Sequence, residues 1–119
     1  MVSTARVTEV FSLILVSLMN LREAIVACYK IEDDDNLVVY VKKIDGKFSP
    51  TSEAVLLELS EEELEMPTLE VSIRKCPGFS YALEVFLIKE LIEDYETSKP
   101  EHEINKIIDR VIHYIEYDA

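Results

Sequence analysis

The side chains that most often carry chemistry are scarce in this 119-residue chain. Its two histidines are His102 and His113, and on one helix that spacing would separate the imidazoles by about 16 Å along the axis. That distance is too long for both rings to bind one metal ion. The sequence also contains no Gly-rich phosphate loop, no nucleophile elbow and no CxxC pair. We therefore predict no enzyme activity, no metal site and no cofactor.

The two cysteines, Cys28 and Cys76, allow one alternative. Cys28 falls within an apolar helical pattern, and Cys76 falls at the end of a predicted strand. A disulfide scaffold of this size would normally contain more cysteines, so we interpret both as reduced, buried side chains of a cytoplasmic protein. The alternative is that Cys76, before Pro77-Gly78, lies at a helix start whose dipole lowers the thiol pKa.

Acidity is the informative feature of the composition. The chain has 24 acidic and 12 basic side chains, which gives a net charge of −12. Such a field repels nucleic acid and anionic membranes and attracts basic proteins. The acids concentrate in three clusters. These are Glu32 to Asp35, the seven glutamates from Glu53 to Glu70, and Glu90, Glu93, Asp94 and Glu96.

The chain begins with a pattern typical of a helix over residues 3–29. Apolar side chains recur there at alternating steps of four and three, and residues 10–19 are apolar nearly all round. This apolar stretch is about half the length needed to span a bilayer, so we predict a core helix. The alternatives are a signal peptide and a homodimer through this helix. The recurring side chains are Val7, Phe11, Ile14, Leu18, Leu21, Ile25 and Cys28.

Three strands are predicted next. Residues 37–44 alternate, with Leu37, Val39 and Val41 on one face, and the Asp45-Gly46 pair predicts a type I′ hairpin turn. Residues 53–59 form the second strand, and the pattern leaves open whether Lys47-Phe48 belongs to it. Residues 69–76 alternate most regularly and are predicted as the third strand.

Two helices follow, over residues 80–96 and 100–117, joined by a short connection that makes them a hairpin. Capping-box spacing marks Ser60–Glu63, before a single turn ended by Pro67, and Ser98–Glu101, with Pro100 in the first turn. The last helix is predicted to bury Ile104, Ile107, Ile108, Val111, Ile112 and Ile115. The sequence thus predicts one α+β domain over residues 1–119: an N-terminal helix, a three-stranded antiparallel meander and a C-terminal helical hairpin.

Length and acidity together predict a protein that binds another protein. Similar length, acidity and mixed α/β character occur in many bacterial immunity proteins, which implies an inhibitor or antitoxin that occludes the active site of a basic toxin such as a nuclease. Tyrosines beside the acids would anchor the complex. The alternatives are a small enzyme of unknown class and a dimeric chaperone or adaptor, because a helix followed by a meander resembles type III secretion chaperones. The predicted partner-binding residues are Asp33, Asp34, Asp35, Tyr40, Glu61, Glu62, Glu63, Glu65, Glu93, Asp94 and Tyr95.

Overall fold

The computed structural model describes residues 19–98 and 103–117. In chain order the elements are α1 (Leu21–Lys30), β1 (Leu37–Val41), β2 (Ala54–Glu58), α2 (Glu61–Glu65), α3 (Thr68–Lys75), β3 (Ser80–Glu84), α4 (Val85–Ser98) and α5 (Ile104–Tyr117). The predicted α+β class is confirmed, with a helix, a three-stranded antiparallel sheet and two C-terminal helices in the predicted order. Residues 3–18 of the predicted first helix, the Pro100–Glu101 part of the second capping box, and His102 lie outside the described residues.

Helix α1 begins at Leu21, because Asn20 before it is not helical. The prediction of one unbroken helix from residue 3 to residue 29 is therefore wrong at Asn20. Asn20 has an extended backbone, with φ −96° and ψ 173°. Its side chain accepts a hydrogen bond from Glu23 N, and the Glu23 carboxylate accepts one from Asn20 N. This capping box satisfies two backbone N–H groups that a helix start leaves without partners. The extended Asn20 also pairs with Glu53 at the start of β2.

The sheet has the order β2-β1-β3, with both pairs antiparallel. A meander would place the second strand at the centre. Here β1 is central, because β3 crosses over and pairs with it. The two-residue turn is confirmed, since Ile44 and Lys47 exchange backbone hydrogen bonds and both Asp45 (φ 52°) and Gly46 (φ 77°) have positive φ. A loop separates Lys47 from β2, so the two are separate segments.

The predicted third strand is wrong. Residues 68–75 form α3, which begins after Pro67, and the Pro67 carbonyl accepts hydrogen bonds from Glu70 N and Val71 N. A salt bridge of 2.7 Å joins Glu70 to Arg74, one helical turn later, and Arg74 lies in the last turn, where a cation suits the helix dipole. The third strand lies instead at Ser80–Glu84, which was predicted to be helical. Helix α4 therefore begins five residues later than predicted.

Helices cover both faces of the sheet. Val39 and Val41 face a core formed with α1, α4 and α5, whereas Val38 and Tyr40 face a smaller cluster completed by Val71 of α3. The predicted division of β1 into two faces is therefore confirmed. Among the predicted core residues of the last helix, only Ile104 is exposed, at 46%. Within residues 19–98 and 103–117, no helix is long and apolar enough to cross a membrane.

Candidate protein-binding surface

Contacts around the C-terminal end of α1 connect two acidic clusters that are far apart in the sequence. Lys89 of α4 joins them, because its Nζ donates a 2.6 Å hydrogen bond to the Ile31 carbonyl and lies 3.5 Å from Asp34 Oδ2. One helical turn beyond Glu93, the Glu96 carboxylate accepts a 3.1 Å hydrogen bond from the Tyr29 hydroxyl. The loop after α1 thus contacts the first half of α4 through Lys89, and the C-terminal end of α1 contacts the second half of α4 through Tyr29. We call the resulting surface the acidic face, formed by Tyr29, Asp33, Asp34, Asp35, Glu93 and Glu96.

Tyr29 is the exposed aromatic side chain of this surface, and the sequence interpretation missed it. It is 42% exposed at the C-terminal end of α1. The hydrogen bond to Glu96 is the largest cause of a raised Tyr29 pKa, followed by the negative charge of Glu96, burial and the charge of Glu93. The phenol therefore remains neutral and can present both a ring and a hydroxyl to a partner.

Tyr40, in contrast, was predicted as an anchor and is removed from the surface by the fold. Tyr40 is 1% exposed and lies on the face of β1 that packs into the smaller core cluster. The hydroxyl donates a 3.3 Å hydrogen bond to the Thr68 carbonyl, and the ring packs edge-on against Tyr81 with a centroid distance of 5.9 Å. Burial raises the Tyr40 pKa. Both faces of β1 are covered, so the face that carries Tyr40 is buried rather than in solvent.

The other predicted residues of these two clusters remain at the surface. Asp33, Asp35, Glu93 and Asp94 are exposed, and Asp34 is half-buried beside Lys89. Tyr95 is also half-buried, because its ring packs against the larger core. It therefore offers a partner less aromatic surface than Tyr29 does.

Four of the seven glutamates between Glu53 and Glu70 lie on α2, whose single turn follows the predicted capping box. Ser60 Oγ accepts a hydrogen bond from Glu63 N, and the Glu63 carboxylate accepts one from Ser60 N. Glu63 also contacts Lys75 Nζ at 2.8 Å, and this hydrogen bond is the first cause of its lowered pKa. Glu63 is thus engaged within the chain. Glu61, Glu62 and Glu65 are exposed and remain available to a partner.

A groove lies between α2, the sheet and the start of α4. Leu64 and Phe86 stand at its edge, 41% and 43% exposed. Asn36, which accepts a hydrogen bond from Leu59 N, connects the groove to the acidic loop. Phe86 precedes Lys89 by three residues and Glu93 by seven, so all three lie on one side of α4. The groove and the acidic face are therefore neighbours along the same helix.

Neither cysteine has the environment of a reactive thiol. Cys28 and Cys76 are free and buried. Burial raises the pKa of Cys28 to about 12 and also raises the pKa of Cys76. The alternative of an activated Cys76 is therefore wrong, because Cys76 follows the end of α3 and its thiol is desolvated.

Another concave feature lies on α5. It measures about 580 Å³ and is lined by Lys106, Asp109, Arg110 and His113. The His113 ring packs against the Tyr117 ring at a tilt of 46°, with a centroid distance of 4.7 Å. Among the residues that the structure describes, no group of three or more histidine, cysteine or acidic side chains is arranged to hold a metal ion.

Comparison of the chain with protein-family models, curated proteins and solved structures finds no significant match. The acidic face and the adjoining groove are thus interpreted from their own geometry and charge.

Proposed function

We propose that the chain is an acidic protein-binding inhibitor, of the immunity-protein or antitoxin kind, which occludes the active site of a basic toxin such as a nuclease. The observation that carries this proposal is the acidic face. Tyr29 contacts one of two acidic clusters from separate parts of the sequence through Glu96, and Lys89 of the same helix contacts the other through Asp34. A surface with concentrated charge and an aromatic centre combines the two features that support tight protein association.

The inhibitory mechanism requires no bond making. A nuclease binds the phosphates of its substrate in a cationic cleft, and carboxylates compete for the same basic side chains. Because the chain has a net charge of −12, long-range electrostatic attraction steers it toward such a cleft and raises the association rate. Tyr29 then buries its ring against the partner, and the complex excludes the substrate by occupying its position.

A matched pair of charge variants separates this surface from the overall charge. Asp35→Lys with Glu93→Lys reverses two exposed carboxylates of the acidic face. Glu53→Lys with Glu103→Lys makes the same change in net charge at other exposed positions. Glu53 pairs with Asn20, at the opposite end of α1 from Tyr29. Asn20 and Tyr29 are nine residues apart, so about 14 Å of helix axis separates the residue paired with Glu53 from Tyr29.

The experiment uses the tagged chain and both double variants to capture proteins from cells that produce it, followed by light scattering of the complex. We expect a one-to-one complex with a basic protein, retained by the Glu53/Glu103 variant and lost by the Asp35/Glu93 variant. The captured protein's enzymatic activity should fall linearly to zero at one equivalent of the wild-type chain. An unaffected activity, or equal capture by both variants, would contradict the proposal.

The exposed apolar groove favours a second candidate, a dimeric secretion chaperone or adaptor that holds an effector segment. Such a protein would elute as a dimer carrying an extended partner segment, and its partner would keep full activity when released. The same light-scattering measurement distinguishes the two candidates by their stoichiometry.

A further inference from the structure

The groove beside the acidic face consists of two connected depressions. The larger measures about 220 Å³ and is lined by Asn36, Leu37, Val38, Leu64, Glu84 and Phe86. The smaller measures about 130 Å³ and shares Val38, Leu64 and Glu84 with it. Each is smaller than the about 300–1,000 Å³ of ordinary small-molecule sites. Their size therefore suits protein side chains rather than a whole metabolite.

The lining combines apolar walls with negative charge. Leu64 and Phe86 form the exposed edge, while the buried Val38 lies at the bottom. Glu84 lines both depressions, and Glu61 and Glu62 are exposed on α2 beside Leu64. No lysine or arginine lines either depression among the described residues. A ligand that fits must therefore bring an apolar side chain together with positive charge.

We propose that this groove seats a large apolar side chain of a basic protein partner, with lysine or arginine residues flanking that side chain in its sequence. The inference rests on the proposed function and names the contact that supplies affinity beside the charges. The apolar side chain displaces water from Leu64 and Phe86, and its basic neighbours pair with Glu84 and the α2 carboxylates. Charge complementarity selects this occupant over an acidic or neutral segment.

Two pairs of exposed apolar residues provide a matched test. Leu64→Ala with Phe86→Ala removes the edge of the groove. Leu69→Ala with Ile73→Ala removes two apolar side chains from α3 that are more exposed, at 70% and 63%, and that line neither depression. All four positions are at the surface, so both variants should keep the wild-type circular dichroism spectrum and melting temperature within a few degrees.

The probe is a short fluorescein-labelled peptide in which one phenylalanine is flanked by lysines in a Gly/Ser background. Control peptides replace the phenylalanine by alanine or the lysines by glutamate. Fluorescence anisotropy should show saturable binding that weakens at least about tenfold with either control peptide and with the Leu64/Phe86 variant. The Leu69/Ile73 variant should bind within about twofold of the wild type, and Glu84→Gln should weaken binding less at high salt than at low salt.

Three results would overturn the inference: no saturable binding at about 1 mM peptide, equal binding of the alanine peptide, or equal losses in the two double variants. The proposed function is unaffected by these results if capture of the basic partner still requires Asp35 and Glu93. Loss of that dependence with peptide binding intact would instead refute the proposed function and retain the groove.

Discussion

Lys89→Met should detach the acidic loop from α4 and so divide the acidic face. Methionine keeps much of the length and the apolar character of the lysine stem while removing the ammonium group. Lys89 Nζ makes a 2.6 Å hydrogen bond to the Ile31 carbonyl and a 3.5 Å contact with Asp34 Oδ2. No other salt bridge in the described part of the chain joins this loop to α4.

The expected loss of stability follows from these contacts. A hydrogen bond from a charged group contributes about 1.5–3 kcal/mol. The side chains of Lys89 and Asp34 keep 21% and 25% of their exposure, so water replaces part of what is lost. The partly exposed ion pair adds about 0.2–1 kcal/mol. We therefore expect Lys89→Met to lower the free energy of unfolding by about 1–2 kcal/mol.

Urea denaturation of Lys89→Met, Asp34→Asn and the double variant measures this loss and the coupling between the two side chains. Lys42→Met serves as the control, because Lys42 is exposed and follows β1, outside the acidic loop. Hydrogen exchange at the backbone amides of residues 32–37 should be faster in Lys89→Met than in the wild type, and unchanged in the Lys42→Met control. A loss within about 0.5 kcal/mol of the Lys42→Met value, with unchanged exchange, would refute the role given to Lys89.

Three further predictions concern the framework of the fold. Asn20→Ala should lower the free energy of unfolding by about 1 kcal/mol in urea denaturation, because the capping box of α1 is lost, and a value near zero would contradict the helix start at Leu21. Tyr40→Phe should lower it by about 0.5–1.5 kcal/mol by removing the donor to the Thr68 carbonyl, and an unchanged urea midpoint would place the hydroxyl in solvent. The pKa of Cys28 is about 12 in the folded chain and 9.0 in the unfolded chain, so the folded state holds the thiol proton more tightly. The free energy of unfolding should therefore fall as pH rises between these two values. The slope attributable to this thiol is about 1.4 kcal/mol per pH unit, and it should be absent from Cys28→Ala in parallel urea titrations.

The sequence predicts the features of this fold that depend on near neighbours. Asp45-Gly46 defines its turn because both residues must adopt positive φ, and Ser60 with Glu63 defines the start of α2 through reciprocal hydrogen bonds. Alternation along β1 correctly divides its side chains between two cores. These features are set within a few residues and need no tertiary information.

The errors arise where tertiary contacts decide between two local patterns. Residues 69–75 alternate as a strand would, yet they form α3, with Leu69 and Ile73 in solvent. Pro67 and the Glu70–Arg74 pair were the local signs of a helix. The strand forms instead at residues 80–84, where pairing with β1 overrides the helical spacing that continues into α4.

The sequence predicted most of the residues of the candidate site but not how the fold arranges them. The sequence identified the acidic clusters, but the connection between them depends on Lys89 reaching the Ile31 carbonyl, 58 residues away in the chain. Tyr29 was missed because its exposure depends on which side of α1 is covered. One sign of the groove was visible, since Leu64 is a lone apolar residue within a run of glutamates.

The most direct test of the central claim is the association rate of the captured basic partner with the wild-type chain and the two charge variants. Stopped-flow measurements at 0.01 M and 0.1 M salt compare Debye lengths of about 30 Å and about 10 Å. At low salt, the Asp35/Glu93 variant should associate at least about tenfold more slowly than the Glu53/Glu103 variant, and this gap should narrow at the higher salt. Equal rates for the two variants at low salt would show that net charge alone attracts the partner and would contradict a binding role for the acidic face.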